Sequence, residues 1–211
     1  MKEFGEFRLE KITAGPLQTN TYLISSGGEA VIIDSGADHN EIIGKLSLDG
    51  VKVKAFIMTH GHFDHIFDAI EFKRELGSQL MIGKDEDSIL EWSYSVSERY
   101  MGKVMEPFAP DRVLQDGDKI SLGKSEIRVI SLPGHTKGSI GVIAAPLFFT
   151  GDVLFQGTIG RTDIGGSMEE MEKSLKKISH LDQKMLVFPG HGPETKLKTE
   201  LENNPFLSGM L

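Results

Sequence analysis

The chain has 211 residues, 39% hydrophobic and 26% charged, with 24 glycines, a balance that suits one globular domain over residues 1–211, burying roughly 70% of its unfolded surface. The formal net charge of −8, with no basic block beyond short clusters such as Lys176-Lys177, argues against a nucleic-acid partner. The absence of cysteine excludes disulfides and thiolate chemistry, so a metal site here must use His, Asp, Glu and water. Met1-Lys2-Glu3-Phe4-Gly5-Glu6 has no signal-peptide core and no apolar run reaches membrane-spanning length. A cytoplasmic address, a small-molecule substrate and no membrane partner are therefore expected.

Phe7–Thr13 and Thr21–Ser25 read as strands joined across Gly15-Pro16, and Ser26-Gly27-Gly28-Glu29 as a hairpin turn into Ala30–Ile33. Asn40–Leu48 has helical spacing through Ile42, Ile43 and Leu46, and Lys54–Met58 reads as a buried strand. Asp64–Leu76 predicts a helix with Ile66, Phe67, Ile70 and Leu76 in its apolar stripe and Gly77 as its stop. Gln79–Ile82 is a short strand. Asp85–Tyr100 is helical at its start, and the stretch to Pro110 reads as a long surface excursion of the kind that forms lids or pocket walls. Lys119–Leu122, Ile127–Ser131, Ile140–Ala144 and Leu147–Thr150 are four short strands. Met168–Ile178 is a helix with Ser167 as its expected cap, Met185–Phe188 a last buried strand, and Leu197–Glu202 a short helix. Two batches of strands, each with helices, predict an α/β fold of two packed sheets with helices outside.

His60-Gly61-His62-Phe63-Asp64-His65 places four strong metal-binding side chains in six residues, directly after the apolar Ala55–Met58. In extended backbone, residues two apart point the same way, so His60 and His62 are expected to grip one ion together. Asp64 and His65 are expected to point elsewhere. Leu132-Pro133-Gly134-His135 and Phe188-Pro189-Gly190-His191 each put an imidazole after an apolar strand and a Pro-Gly turn. Phe148-Phe149-Thr150-Gly151-Asp152 puts a carboxylate in the same kind of place. Sites on α/β scaffolds are built on such loops. Count and geometry divide the residues into His60, His62 and His135 for a first ion and Asp64, His65 and His191 for a second, with Asp152 bridging. Ions paired in this way stand roughly 3.5–4 Å apart. Zinc is the first expectation, and iron(II) and manganese suit the same donors. His39 and His180 lack such a setting and read as surface residues.

Together, Thr59-His60-x-His62-x-Asp64-His65, Pro133-Gly134-His135-Thr136, Gly151-Asp152 and Pro189-Gly190-His191 resemble the metallo-β-lactamase-fold hydrolases. The resemblance runs from Leu17-Gln18-Thr19-Asn20-Thr21-Tyr22-Leu23 to Asn204-Pro205-Phe206-Leu207. Gly151-Asp152-Val153-Leu154-Phe155, Gly160-Arg161-Thr162-Asp163 and Gly192-Pro193-Glu194-Thr195 are similar to the short glyoxalase II-like branch. The resemblance implies a four-layer αβ/βα sandwich with the metals at one edge between the sheets. It implies the same seven metal ligands, and Asp34 as a carboxylate that orients a loop or a ligand.

It further implies hydrolysis of a small thioester such as S-D-lactoylglutathione by a hydroxide bridging two ions, with Asp64 also orienting that hydroxide. Arg161 is a candidate fork for a substrate carboxylate, its alternative being an ion pair with Asp163. Longer glyoxalase II enzymes carry a C-terminal helical extension that helps bind glutathione. None is expected here, and Arg161 and Asp163 stand where those enzymes have Lys and Tyr. The alternatives are a persulfide dioxygenase with a single non-haem iron, or a hydrolase of another ester or lactone. Trp92, Tyr94 and Tyr100 either wall the pocket or pack the excursion onto the domain.

Overall fold

Strands that are apolar on both faces need a covering layer on each side, and this chain provides that arrangement twice. The structure is a computed structural model that describes residues 1–48 and 50–208. β1 (Lys2–Phe4), β2 (Phe7–Ala14), β3 (Thr19–Ser26) and β4 (Glu29–Ile33) form an antiparallel meander. α1 (His39–Lys45), β5 (Lys52–Met58), α2 (Ala69–Leu76), β6 (Gln79–Gly83), α3 (Asp87–Met101) and β7 (Arg112–Leu114) follow, with the three strands added in parallel beyond β4. β8 (Lys119–Leu122), β9 (Ser125–Ser131), β10 (Ile140–Ala144) and β11 (Leu147–Gly151) start a second, antiparallel sheet. A small hairpin, β12 (Leu154–Phe155) and β13 (Thr158–Ile159), and α4 (Met168–Ser179) come next. β14 (Leu186–Pro189) then lies parallel to β11 and antiparallel to β15 (Thr195–Lys196), which runs into α5 (Leu197–Asn203).

The sheets face each other across a shared core. Tyr22, Ile24, Val31, Ile33 and Ile57 from the first meet Val129, Val142, Phe149 and Phe188 from the second. The Tyr22, Phe149 and Phe188 rings stand 5.0–5.7 Å apart. Each fully buried side chain of this size contributes about 1.5–3 kcal/mol. The alternate residues of the same strands face outward: Leu23, Ile32, Phe56 and Met58 pack under Ile42 of α1, Phe72 of α2 and Leu90 of α3. Ile130, Phe148 and Val187 pack under Met171 and Leu175 of α4 and Leu201 of α5. Helices, sheet, sheet, helices make the expected αβ/βα sandwich. No helix among the described residues is long and apolar enough to cross a membrane.

Several expected boundaries shift for local reasons. The helix predicted from Asp64 starts only at Ala69. The Ser35 N–H donates to the His65 carbonyl and the Phe67 N–H to the Ser35 carbonyl, both at 3.0 Å. This bridge ties the segment to the loop after β4 and keeps Asp64 and His65 in a turn. The helix predicted over Asn40–Leu48 ends at Lys45, whereas α3 is helical throughout rather than only at its start. Ser167 flanks α4 without a side-chain cap bond; its N–H instead donates to the Gly134 carbonyl at 2.9 Å, docking the helix start on the His135 loop. β1, β7, β12, β13 and β15 are two or three residues each, too short for alternation to register.

One edge of the sandwich gathers the chemistry. Asp34 follows β4, the histidine motif β5, His135 β9, Asp152 β11 and His191 β14. The two sheets are locked there by backbone bonds, the Ile140 N–H to the Thr59 carbonyl at 2.9 Å and the Asn20 N–H to the Gly190 carbonyl at 2.7 Å, while the Gly190 N–H donates to the Gly151 carbonyl at 2.8 Å within the second sheet.

Candidate metal centre

His60 and His62 flank Gly61 just beyond β5, their rings 4.7 Å apart and nearly perpendicular. His60 Nε2 lies 3.2 Å, and His62 Nδ1 2.9 Å, from His135 Nε2. All three rings are buried. Nitrogens on one tetrahedral ion at 2.0–2.1 Å stand roughly 3.3 Å apart, so this trio is spaced to hold a metal.

A second cluster adjoins it. His65 Nε2 lies 3.2 Å from His191 Nε2, and Asp64 Oδ2 lies 3.2 Å from His191 Nε2 and 3.5 Å from His65 Nε2. Asp152 borders both clusters: its oxygens lie 3.4 Å from His65 Nε2, 3.7 Å from His135 Nε2 and 3.5 Å from His191 Nε2. Asp152 Oδ1 is buried with no hydrogen-bond partner among the described residues. An unpaired buried carboxylate oxygen is expensive, and a cation between the clusters removes that cost.

Each of the five rings commits its outer nitrogen to a protein acceptor. His62 Nε2 donates to the Ile164 carbonyl at 3.3 Å, His135 Nδ1 to the Arg161 carbonyl at 2.7 Å, and His191 Nδ1 to the Leu17 carbonyl at 3.1 Å. His65 Nδ1 donates to the Asp34 carboxylate at 2.9 Å. His60 Nδ1 stands 3.1 Å from the Thr59 hydroxyl, whose own proton goes to Asp34 at 2.7 Å, so the hydroxyl oxygen accepts from the ring. A neutral imidazole has one N–H, so every inward nitrogen presents a lone pair.

The two clusters differ in their electrostatic surroundings. Burial, then the neighbouring histidines, holds His60 well below its ordinary pKa and His62 down to about 4. Burial also lowers His135, against the pull of Asp152. For His65, burial is the largest single influence and acts downward, but Asp152, Asp64 and Asp34 together outweigh it and raise the ring well above its usual value. His191 is raised in the same way by Asp64 and Asp152. Asp152 is held well below the carboxylate range, its burial overcome by His65, His135 and His191. Burial thus favours the neutral form of the first cluster's rings, whereas the carboxylates around the second favour a positive charge there, whether on a proton or on a bound cation.

The surrounding residues position this set. Asp34, at a left-handed φ of 57°, accepts from the Thr59 N–H and hydroxyl, both at 2.7 Å, as well as from His65. The Thr19 hydroxyl donates to Asp64 Oδ2 at 2.9 Å. Asn20 Nδ2 and the Tyr22 hydroxyl both donate to the Pro189 carbonyl, at 2.9 and 2.7 Å, holding the His191 loop. Thr19, Asn20 and Tyr22 lie inside a stretch recognised only as part of a resemblance, and their hydroxyls and amide give no signal of their own. Buried Glu86 has no motif at all; burial pushes its carboxyl up to about 7 although three donors reach it.

Gly190 has no room for a side chain, since a Cβ there would fall 2.2 Å from Asp152 Oδ1 and 2.5 Å from His65 Cε1. Gly190→Ala is expected to push both groups out of place and lower the ion content per chain with the sandwich core intact. Metal analysis alongside circular dichroism checks this, and wild-type ion content would refute it.

A family model described as the metallo-beta-lactamase superfamily matches residues 14–191. The chain belongs to that superfamily. It is 34% identical over 204 residues to the probable metallo-hydrolase YqgX of Bacillus subtilis, covering 94% of this chain and 97% of that protein. It is 34% identical over 207 residues to the hydroxyacylglutathione hydrolase GloC of Haemophilus influenzae, covering 95% and 98%. Among solved structures, BLEG-1, a B3 metallo-beta-lactamase, superposes with a TM-score of 0.84 at 32% identity, covering 96% of this chain and all of that one. TTHA1623, in a di-iron-bound form, gives 0.83 at 31% identity, covering 94% of this chain and all of that one.

In this member of the superfamily, the remaining candidates divide. The Arg161 guanidinium, a candidate for a substrate carboxylate, is exposed and forks onto Asp163, with Nε and Nη2 each 2.6 Å from a carboxylate oxygen. The contact of Arg161 with the centre is through its carbonyl, which receives His135. Trp92 stands edge-on to His62 at 5.6 Å, and Tyr100 stacks on Phe63 at 5.1 Å. Tyr94 instead packs the excursion, its hydroxyl accepting the Phe108 N–H at 3.3 Å. His180 is exposed and stands 2.6 Å from the Lys176 carbonyl. His39 is not the solvated residue expected: its side chain is 15% exposed, and its two nitrogens lie 3.3 Å from Asp68 and 3.4 Å from Glu75. The turn at Asp68 that delays α2 also brings this carboxylate over the start of α1.

Proposed function

We propose that the chain is a hydrolase that holds two divalent ions and cleaves a small acyl thioester of the S-D-lactoylglutathione type. The observation that carries the reading is the orientation of the five imidazoles, whose outer nitrogens are all engaged and whose lone pairs converge at 2.9–3.2 Å. Lone pairs at that distance repel unless a cation stands between them. The fully built second cluster, with Asp64 held by Thr19 and His191 by Leu17, supports two ions rather than one. Similarity to GloC supports a thioester, and similarity to a di-iron-bound structure supports a pair. We assign zinc first, with iron(II) and manganese left to metal analysis, and take residues 1–211 as one functional unit.

Divalent ions bound here would supply a hydroxide nucleophile at neutral pH, water's pKa falling from 15.7 to about 7, and would polarise an acyl carbonyl. His60, His62 and His135 would hold one ion and Asp64, His65 and His191 the other, with Asp152 placed to serve both. His191 is 28% exposed against 12% for Asp152 and 8% for Asp64, so the acyl group enters over the second cluster. Phe155, its ring 6.3 Å from His191, flanks that entrance. Asp64, 3.2 Å from His191, borders the same space and would accept a hydrogen bond that orients the hydroxide. A thiolate leaves readily, so no strong protein acid is needed.

Metal analysis of the native protein, paired with an S-D-lactoylglutathione hydrolysis assay, tests the reading. Two ions per chain and turnover abolished by a chelator are expected. One iron per chain with oxygen consumption on glutathione persulfide would assign the dioxygenase instead. Turnover of a β-lactam with the thioester untouched would replace the substrate class.

A further inference from the structure

We infer that Glu86 is a positioning residue, whose carboxylate sets the spacing between the two loops that carry the first ion's ligands. The inference rests on the two-ion reading above. Glu86 lies immediately before α3 and is 2% exposed. Its Oε2 accepts the Gly61 N–H at 2.6 Å, and its Oε1 accepts the Gly138 N–H at 2.7 Å and the Thr136 hydroxyl. Gly61 is the residue between His60 and His62, and Thr136 is the residue after His135. One carboxylate therefore joins a loop of the first sheet to a loop of the second at the point where their imidazoles must meet.

The first turns of α3 complete the clamp. The Ser93 hydroxyl donates to the Gly61 carbonyl at 2.7 Å, so the peptide between the two histidines is held on both sides. A Cβ on Gly61 would fall 2.8 Å from Glu86 Oε2, and one on Gly138 would fall 2.0 Å from the Lys84 carbonyl and 2.7 Å from Glu86 Cγ. Both loops close on the carboxylate only because these residues are glycines. Packing alone does not account for Glu86: a buried carboxylate is costly to desolvate, and an apolar side chain of similar volume is often neutral or stabilising in its place. What the carboxylate provides is direction, since three donors from two loops converge on two oxygens. The 2.9 and 3.2 Å separations of His62 and His60 from His135 follow from that tie.

Glu86→Gln tests this. The amide oxygen can replace Oε1, but the amide NH2 then faces the Gly61 N–H, donor against donor. Zinc or cobalt(II) is titrated into the stripped full-length protein against a competing chromophoric chelator. His135→Ala and His191→Ala mark which binding phase belongs to which cluster. The expected result is a roughly 10–100-fold weaker first-cluster phase, an altered cobalt absorption spectrum for that phase, and an unchanged second-cluster phase. A general loosening of the fold would weaken both phases together, and that outcome overturns the inference, as does a folded Glu86→Gln with both phases at wild-type affinity. Thr136→Val removes one donor at constant shape and is expected to weaken the same phase by less. If Glu86→Gln does not fold, this second variant decides, and unchanged phases overturn the inference. A wild type with one phase, abolished by His135→Ala, overturns the two-ion reading and still tests Glu86 on that phase. A wild type with no phase overturns both.

Discussion

Asp152→Ala is expected to remove most metal from both clusters and to lower kcat/KM for thioester hydrolysis by more than about 100-fold, beyond the usual cost of losing a ligand's supporting partner. Among the described residues, this carboxylate is within 3.7 Å of imidazole nitrogens from both clusters, His135 on one side and His65 and His191 on the other. Its Oδ1 has no hydrogen-bond partner among the described residues, so no hydrogen bond there explains its burial. Without it the first cluster is left with three neutral imidazoles and the second with the single carboxylate of Asp64. His65 also loses the foremost of the charges that hold its pKa up, and the same loss leaves the second cluster gripping a cation less well. Asp152→Asn separates charge from shape: one oxygen remains, and an intermediate ion content is expected. Elemental analysis of the purified variants with steady-state assays gives both numbers. Full metal content in Asp152→Ala would sink the bridging assignment.

Asp34→Asn should weaken the second-cluster ion by roughly 10–100-fold and also lower the melting temperature of the ion-free protein. Asn tolerates the left-handed φ that Asp34 adopts, so backbone strain is not the cause. The amide oxygen can still accept the Thr59 N–H, but its NH2 then faces the Thr59 hydroxyl and the His65 Nδ1–H, where Oδ2 accepted from both. A buried donor left unpaired costs about 1–3 kcal/mol. His65 escapes that cost only by taking the other tautomer, which puts its proton on Nε2 and cancels the lone pair meant for the ion. The effect passes through Thr59 to His60 as well, since the hydroxyl that serves His60 is held by Asp34. Melting curves of the stripped variant and a zinc titration measure the two parts. An unchanged melting temperature with unchanged second-cluster affinity would remove Asp34 from this role.

How far the site was legible is clear from particular residues. His60, His62, Asp64 and His65 could be singled out because their spacing is local and unusual. His135, Asp152 and His191 could be added because each follows an apolar strand and a turn. The sandwich was legible because the strands come in two batches, each with its own helices, an order that calls for two packed sheets with helices outside. The start of α2 was not, because the bridge between Ser35 and the Ile66 segment competes with helical bonds and leaves no mark in the hydrophobic pattern. The setting of His39 left no mark for a like reason, as the carboxylates beside it arrive from α2 and the turn before it.

By itself, then, the sequence determined the donor types, their placement at strand ends and the layered fold, all of which follow from short-range spacing and apolar periodicity. Only the tertiary structure decided which imidazole faces which, which nitrogen of each ring is free, and which groups hold them. Those depend on acceptors brought from elsewhere in the chain: the Leu17 carbonyl to His191, the Arg161 and Ile164 carbonyls to His135 and His62, and Asp34 to His65. Glu86 is the clearest case. Nothing around it in the sequence marks it, and its partners Gly61 and Thr136 become neighbours only when the two sheets close on each other.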